Sequence, residues 1–189
     1  DNHVKVWLPG IGANYRFNNY VSLFGGVHKG FAPPTNTPGT DAENSTNYEI
    51  GTRYNYKKFS GELVVYFNDY KNLLGSDLAA SGGSGTLDQF NAGEAHVKGI
   101  EFLINYQVLK EESKFKLPIT FGYTLTDTEF VNEFASSDGA WGTIEKGDEI
   151  PYISKHQFNA SIALEHAKFE LILGARYSGE FRTVAGQGS

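Results

Sequence analysis

Histidine, lysine and arginine side chains lie near the points where long polar connections begin or end. Cations in such positions could bind an anion, because charge-assisted hydrogen bonds to oxyanions are about twice as strong as neutral ones. The candidate ligand-binding residues are His28, Lys29, Lys71, His156 and Arg182. The alternative is that each is an ordinary solvated charge in a loop. The pattern therefore predicts that these residues contribute to a site for an anionic ligand.

A second group of ionisable residues occurs at alternate positions within otherwise apolar stretches. Glu49 and Arg53, for example, alternate with Tyr48, Ile50 and Tyr54. The full set is Arg16, Glu49, Arg53, Glu62, Glu101, Glu165, Glu170 and Arg176. Burying so many charges in the tight core of a small soluble domain carries a severe desolvation cost. We therefore expect this set to line a wide, hydrated space.

Motifs for catalysis or for resident cofactors are absent from the sequence. It contains no nucleophile elbow, no HExxH zinc motif and no phosphate-binding loop. It also lacks cysteine, which excludes a thiolate metal site or a cysteine nucleophile. Acidic residues such as Asp127 and Glu129 follow no compact calcium-loop spacing. We predict that the chain is not an enzyme, needs no cofactor and has no metal site.

Alternation of apolar and polar residues predicts the elements that must position these groups. Between Phe169 and Ser178, every second residue is apolar, and the same holds between Phe158 and Glu165. Only a few residues separate the two runs, which is typical of a β-hairpin. Three further hairpins turn at residues 18–19, 57–58 and 109–114. The sequence thus predicts about eight strands, each near the length that crosses a bilayer when tilted.

The connections between the hairpins are quite different from the turns within them. Residues 31–46, 74–94 and 130–153 are long and rich in glycine, serine, asparagine and other polar residues. Short and long connections therefore alternate, as they do in transmembrane barrels with tight turns at one end and long loops at the other. No stretch approaches the apolar length of a spanning helix. The fold class we predict is all-β, an antiparallel up-and-down transmembrane β-barrel.

Aromatic residues support this prediction because they cluster beside the short turns. The residues concerned are Tyr15, Phe17, Tyr20, Tyr54, Tyr56, Phe59, Tyr106, Phe115 and Phe169. Amphipathic rings are enriched at membrane–water interfaces, although strand ends also favour aromatics on their own account. The mean hydropathy of -0.37 is compatible with strands that have only one apolar face. The net charge of -6 argues against nucleic-acid binding.

Specific segments resemble the barrel of TonB-dependent receptors, in that family's order and over nearly the whole chain. They are Leu8–Gly12, Ser22–Pro34, Asn47–Tyr54, Val65–Leu73, Asn91–Ala95, Lys98–Glu101, Tyr123–Asp127, Gly147–Tyr152, His156–Gln157 and Ala185–Gly188. Within the family, the ferric dicitrate receptor type is the most similar. The resemblance implies a bacterial outer-membrane receptor that imports ferric citrate or another siderophore by energy-coupled transport. Iron would then be chelated cargo rather than a cofactor.

The resemblance also implies a twenty-two-stranded barrel closed by an N-terminal plug. Residues 1–189 would form one segment of that barrel wall, with the plug domain and the terminal strands absent. The partners implied are a ferric chelate, outer-membrane lipid with lipopolysaccharide, and the TonB complex acting through the missing plug. We expect the eight alternating ionisable residues to face the lumen and the five cations to bind the chelate from the outer loops.

Two other functions are compatible with a barrel wall. An outer-membrane binding or structural barrel, adhesin-like or porin-like, would need the wall and the loops but no active transport. An outer-membrane enzyme resembling a phospholipase would need a serine–histidine pair on the lipid-facing side. His156 has no obvious serine partner on a neighbouring predicted strand. The enzyme is therefore the least favoured of the three.

Overall fold

The computed structural model describes residues 5–34, 39–76, 89–135 and 142–185, which form strands, turns and loops. The long strands are β1 (Gly10–Arg16), β2 (Val21–Ala32), β3 (Glu43–Tyr56), β4 (Phe59–Lys71), β7 (Ala95–Gln107), β9 (Pro118–Phe130), β12 (His156–His166) and β13 (Phe169–Ser178). The short strands are β5 (Leu74–Ser76), β6 (Gln89–Asn91), β8 (Phe115–Lys116), β10 (Phe134–Ala135) and β11 (Thr143–Ile144). Within these ranges, no helix is long and apolar enough to cross a membrane.

The long strands form one antiparallel sheet in the order β1-β2-β3-β4-β7-β9-β12-β13, and β8 pairs with the end of β12. Strands that follow one another along the chain are neighbours in the sheet, which is an up-and-down arrangement. The predicted all-β antiparallel fold is confirmed. The short strands β5 with β6, and β10 with β11, form small hairpins inside two of the long connections. Alternation gave no sign of these small hairpins.

The short turns have local chemical causes. In the first, the Asn18 side-chain oxygen accepts hydrogen bonds from the backbone nitrogens of Tyr20 and Val21 at 2.8 and 2.9 Å. Asparagine favours turns because its side chain can replace a backbone acceptor in this way. In the second, Lys57 adopts a left-handed conformation with φ of 53°, which a tight two-residue hairpin turn requires. All four turns predicted from the sequence are present.

The pairing register divides the sheet into two chemically different faces. Residues paired across antiparallel strands share a face, so Arg53, Glu62 and Leu103 lie on one face and Leu63 and Phe102 on the other. We call the first the polar face and the second the apolar face. On the apolar face Leu171 is 67% exposed and Ile162 36% exposed. The apolar side chains therefore do not fill a sealed centre.

Aromatic rings pack against one another across the apolar face. Phe158 stacks on Tyr177 with ring centroids 4.9 Å apart, and Phe121 on Phe158 at 6.3 Å. Beside the short turns, Tyr20 and Tyr56 make an edge-to-face contact at 4.6 Å. Such pairs add about 0.5–1.5 kcal/mol beyond the area that they bury. These ring contacts therefore stabilise the apolar face between neighbouring strands, and its apolar side chains stay exposed on the side away from the sheet.

The buried hydrophobic residues lie at the long-loop end of the sheet, not within the wall. Phe130 and Ile144 are completely buried and contact Ala92, Ala95, Ile150 and Ala185. We call these six residues the loop core. Ala95 and Phe130 pair with each other on the polar face. The loop core therefore covers the polar face where the long strands end.

Candidate functional site: the polar face and the loop core

All eight ionisable residues that alternate in the sequence lie on the polar face. The register links Arg16, Arg53, Glu62 and Arg176 through one row of paired positions that crosses the sheet. Arg53 is ion-paired with Glu62 through Nε and Oε2, and its guanidinium carbon lies 3.9 Å from the Phe24 ring centroid. The other members of the set are Glu49, Glu101, Glu165 and Glu170. That this face lines a lumen stays a prediction.

A polar hollow of about 450 Å³ lies on this face below the loop core. His28, Glu49, Asn68 and Glu101 contribute to its lining, together with Tyr66. Phenol, amide, imidazole and carboxylate groups in one hollow can hydrogen-bond a hydrated or highly oxygenated ligand. Glu49 and Glu101 bring two carboxyl groups into this lining.

The loops beside the loop core lie at the long-loop end of the sheet, which we call the mouth. Specific hydrogen bonds fix these loops to the long strands. The backbone nitrogen of Ile150 donates to the Thr128 hydroxyl at 3.0 Å, and Phe130 donates to the Asp148 carbonyl at 2.9 Å. The Ser154 hydroxyl donates to the Gly179 carbonyl, which joins this loop to the chain after β13. Thr128 and Ser154 are 8% and 3% exposed. Segment 142–154 is therefore an ordered part of the polar-face mouth.

Replacing Thr128 with Val tests whether this anchoring depends on the hydroxyl. The substitution keeps the shape of the side chain but leaves the buried Ile150 nitrogen without its acceptor, at a cost of about 1–2 kcal/mol. Hydrogen exchange of the amides in segment 142–153 should accelerate by about five- to thirtyfold, since local opening governs exchange there. Thr52→Val is the matched control, because Thr52 bonds the Ser22 carbonyl on the apolar face, far from these loops. Equal exchange in wild type and Thr128→Val would contradict the anchoring.

The structure separates the five cations proposed to bind an anion. His28 lies on the polar face, paired with Gly10 and Asn47. Lys29 and Lys71 lie on the apolar face, since they share the alternation of Val27 and Phe67. His156 also lies there and accepts or donates a hydrogen bond at 2.9 Å between its Nδ1 and the Tyr123 hydroxyl. The structure thus does not bring the five together, and their role in ligand binding stays a prediction.

Arg182, the fifth cation, lies in the chain that follows β13 and is fixed near the mouth. Its Nε donates to Glu149 Oε2 at 3.1 Å, and its carbonyl accepts from the Tyr152 nitrogen at 2.8 Å. Tyr152 has a left-handed backbone with φ of 63° and packs its ring 5.9 Å from that of Phe181. A non-glycine residue keeps this conformation only where the surrounding contacts hold it there. Sequence reasoning did not find these contacts, because the partners are far apart along the chain.

Metal ligation has no candidate in the part of the chain that the structure describes. No group of three or more histidine, aspartate or glutamate side chains there is arranged to hold an ion.

Comparison with known proteins supplies the family. The family model described as "TonB dependent receptor-like, beta-barrel" matches residues 1–189. The chain belongs to this family, which confirms the predicted fold class and the family that the sequence resembles. Because the family is one of receptors, the prediction that the chain is not an enzyme is also confirmed. No curated protein sequence matches the chain.

Solved structures with the same fold include an iron transporter, a ferric enterobactin receptor and a siderophore receptor. The FrpB iron transporter of Neisseria meningitidis (F3-3 variant) matches with a TM-score of 0.57 and 18% identity over 89% of this chain and 26% of its own. A mutant of the ferric enterobactin receptor PfeA of Pseudomonas aeruginosa, in complex with enterobactin, matches with a TM-score of 0.62 and 19% identity. The match covers 97% of this chain and 30% of the receptor. The siderophore receptor PirA of Acinetobacter baumannii matches with a TM-score of 0.58 and 17% identity over 93% of this chain and 30% of its own. The chain therefore spans about a quarter to a third of these proteins.

Proposed function

We propose that this chain forms part of the wall of an outer-membrane receptor that takes up ferric chelates by energy-coupled transport. The observation that carries the proposal is the match of a TonB-dependent receptor β-barrel family over residues 1–189. The structural relatives support it, since they include an iron transporter, a siderophore receptor and a receptor bound to enterobactin. Iron enters this account only as chelated cargo.

The two chemically different faces of the sheet indicate how the wall is oriented in the membrane. The apolar face contacts lipid acyl chains, and the polar face lines a hydrated bore. Charges such as those of Arg53 and Glu62 are acceptable facing water but expensive facing lipid. The long loops lie outside the cell and the short turns lie on the periplasmic side, as in other outer-membrane barrels. Energy coupling would act through a plug domain that contacts TonB and lies outside residues 1–189.

Ferric citrate is the chelate that we propose to test first. An anionic chelate is attracted to cations at the mouth. Of the five candidate residues, His28 lies on the polar face and Arg182 lies in the chain that follows β13, beside the ordered loops. Arg182 Nε donates to Glu149 Oε2 at 3.1 Å, and this contact orients the planar guanidinium.

Uptake of radiolabelled iron in the native bacterium tests the proposed function. Deleting the gene should reduce uptake from ferric citrate to background, and the whole gene supplied in trans should restore it. Arg182→Gln should weaken chelate affinity about tenfold, the value expected when one hydrogen bond to a charged group is lost. Lys110→Gln, at a short turn on the opposite end, should leave the affinity unchanged.

The outcomes separate the proposal from its alternatives. Undiminished ferric citrate uptake with lost uptake of a catecholate siderophore would overturn the chelate but keep the receptor. Unchanged uptake of every ferric chelate would overturn the transport function itself. Binding of a chelate without import would favour a binding barrel of the kind considered above.

A further inference from the structure

His96 lies between two carboxylates at the long-loop border of the apolar face. The register pairs it with Asp69 on β4 and with Glu129 on β9, so the three side chains share one row across neighbouring strands. Its Nε2 lies 3.7 Å from Asp69 Oδ1, and its Nδ1 lies 3.4 Å from Glu129 Oε1. Both ring nitrogens therefore face a carboxylate oxygen. We call these three residues the acid–histidine row.

The protonation state of His96 decides how many of these contacts are favourable. A neutral imidazole carries one N–H, so one nitrogen donates and the other directs a lone pair at a carboxylate. The imidazolium carries an N–H on both nitrogens and can donate to both carboxylates at once. Histidine is the side chain that ordinarily changes its charge between roughly pH 5 and pH 8. Acidification therefore turns one favourable and one unfavourable contact into two ion pairs.

Three other charged side chains share this face of the same strands. They are Lys71 on β4, Lys98 on β7 and Asp127 on β9. Lys98 Nζ lies 3.5 Å from Glu129 Oε1, where it opposes the imidazolium, but it also lies 3.2 Å from Asp127 Oδ2, which offsets part of its charge. Within the described part of the chain, Asp69 is ion-paired with His96 alone, so its carboxylate depends on the imidazole for a counter-charge. The His96 side chain is 30% exposed, which lets protons reach it.

The next row of paired positions joins the acid–histidine row to the loop core. It consists of Tyr70, Ala95 and Phe130, which adjoin the row along the chain and lie on the polar face. Ala95 and Phe130 are completely buried members of the loop core, and Tyr70 packs against it. The Phe130 nitrogen donates to the Asp148 carbonyl and its carbonyl accepts from the Gly147 nitrogen, both at 2.9 Å. A force that aligns these three strand ends on the apolar face therefore also positions the loop core and its loop.

We propose that the acid–histidine row is a proton-operated clamp on the mouth. Protonation of His96 adds ion pairs that couple the ends of β4, β7 and β9, and the loop core and segment 142–154 become more ordered as a result. Loss of the proton removes one of these contacts and loosens the same strand ends. The order of the mouth thus rises as the pH falls through the range in which histidine becomes charged. This regulation does not depend on which ligand the receptor carries.

Hydrogen exchange of the amides in segment 142–153 tests the clamp, with the whole purified protein in lipid vesicles at about pH 5.5 and about pH 8. His96→Gln keeps a polar side chain that cannot become charged. At the acidic pH this variant should exchange about fivefold faster than the wild type, the factor expected when two partly exposed ion pairs are lost. At the alkaline pH the two proteins should exchange alike. Comparing them at the same pH cancels the intrinsic effect of pH on exchange.

Two further variants make the test specific to the acid–histidine row. Asp69→Asn leaves the histidine in place but removes one carboxylate, and it should exchange about twofold faster than the wild type at the acidic pH only. His156→Gln is the matched control, because His156 begins β12 on the apolar face and contacts the Tyr123 hydroxyl rather than a carboxylate. Its exchange relative to the wild type should not depend on pH.

Faster exchange of His96→Gln confined to the acidic pH supports the clamp. The same ratio to the wild type at both pH values would overturn it, because His96 would then be a structural contact only. A pH-dependent difference of equal size in His156→Gln would also overturn it. If His96→Gln does not fold, equal exchange of Asp69→Asn and the wild type at the acidic pH overturns the clamp. Exchange reports the order of the loops and not uptake, so this result is separate from that of the transport test.

Discussion

Phe102→Arg is expected to destabilise the barrel wall by about 2–4 kcal/mol, the cost of a charged residue near the middle of the lipid-facing surface. Phe102 lies on the apolar face in a row with Leu63 and Tyr123. Its neighbour Leu103 lies on the polar face directly opposite Glu62. Leu103→Arg should therefore cost less than about 1 kcal/mol, because the new guanidinium meets water and a carboxylate. The measurement is the free energy of unfolding by denaturant of the whole protein in lipid vesicles.

The comparison between these adjacent positions controls for the effect of arginine itself. Both substitutions remove a large hydrophobic side chain from the same strand, and only the face differs. Equal destabilisation at the two positions would contradict the assignment of the faces. A larger cost at Leu103 would reverse that assignment.

Gly99→Ala is expected to have the second large effect, about 3 kcal/mol of lost stability, at the upper end of what overpacking costs. A Cβ at Gly99 would lie 2.2 Å from the Leu125 carbonyl oxygen and 2.5 Å from the Tyr66 hydroxyl oxygen. The Tyr66 side chain crosses Gly99 to reach the Thr126 hydroxyl at 3.1 Å, so it cannot move away without losing this bond. The carbonyl belongs to the neighbouring strand and cannot move without disturbing the ladder. Unfolding by denaturant measures the effect.

Gly174→Ala is the matched control for the effect of removing a glycine. Gly174 also lies on the polar face, and the nearest atom to an added Cβ is the Ala160 carbonyl oxygen at 3.8 Å, which is ordinary contact. Its free energy of unfolding should stay near that of the wild type. If both variants lose the same stability, the close contact at Gly99 is not what makes glycine necessary there.

Much of the fold could be predicted because alternation is a local property of the chain. Residues 158–165 and 169–178 alternate so regularly that a one-residue shift would exchange the two faces, and the short turn between them fixes the register. The same parity placed Glu165 and Glu170 on the polar face. The strands of the wall could be predicted from the sequence because this pattern does not depend on contacts between residues far apart along the chain.

The loop core could not be predicted in this way, since its contacts join residues that are far apart along the chain. Ile150 bonds Thr128, and Arg182 bonds Glu149, across segments with no periodicity. Loop backbones find partners according to the shape of the whole mouth, and sequence patterns do not encode that shape. The small hairpins of β5 with β6 and β10 with β11 were missed for the same reason.

Alternation predicts the face of the sheet on which several of the candidate ligand-binding residues lie. Proximity to a strand end does not predict it. His28 and Lys29 are adjacent, so alternation alone places them on opposite faces. Lys71 shares its parity with Val65 and Phe67, which indicates the apolar face. Charge type suggested anion binding in each case. Only the combination of charge with parity distinguishes a charged group on the polar face from one on the apolar face.

The most direct test of the account is a cysteine scan along β7 in the native membrane. This stretch contains no cysteine, so a spin label can be attached at one position at a time through Ile100→Cys, Glu101→Cys, Phe102→Cys and Leu103→Cys. Labels at 100 and 102 should collide readily with oxygen, which concentrates in lipid. Labels at 101 and 103 should collide readily with a water-soluble nickel complex. Accessibility that fails to alternate, or alternates with the opposite phase, would contradict the assignment of one face to lipid and the other to a hydrated bore.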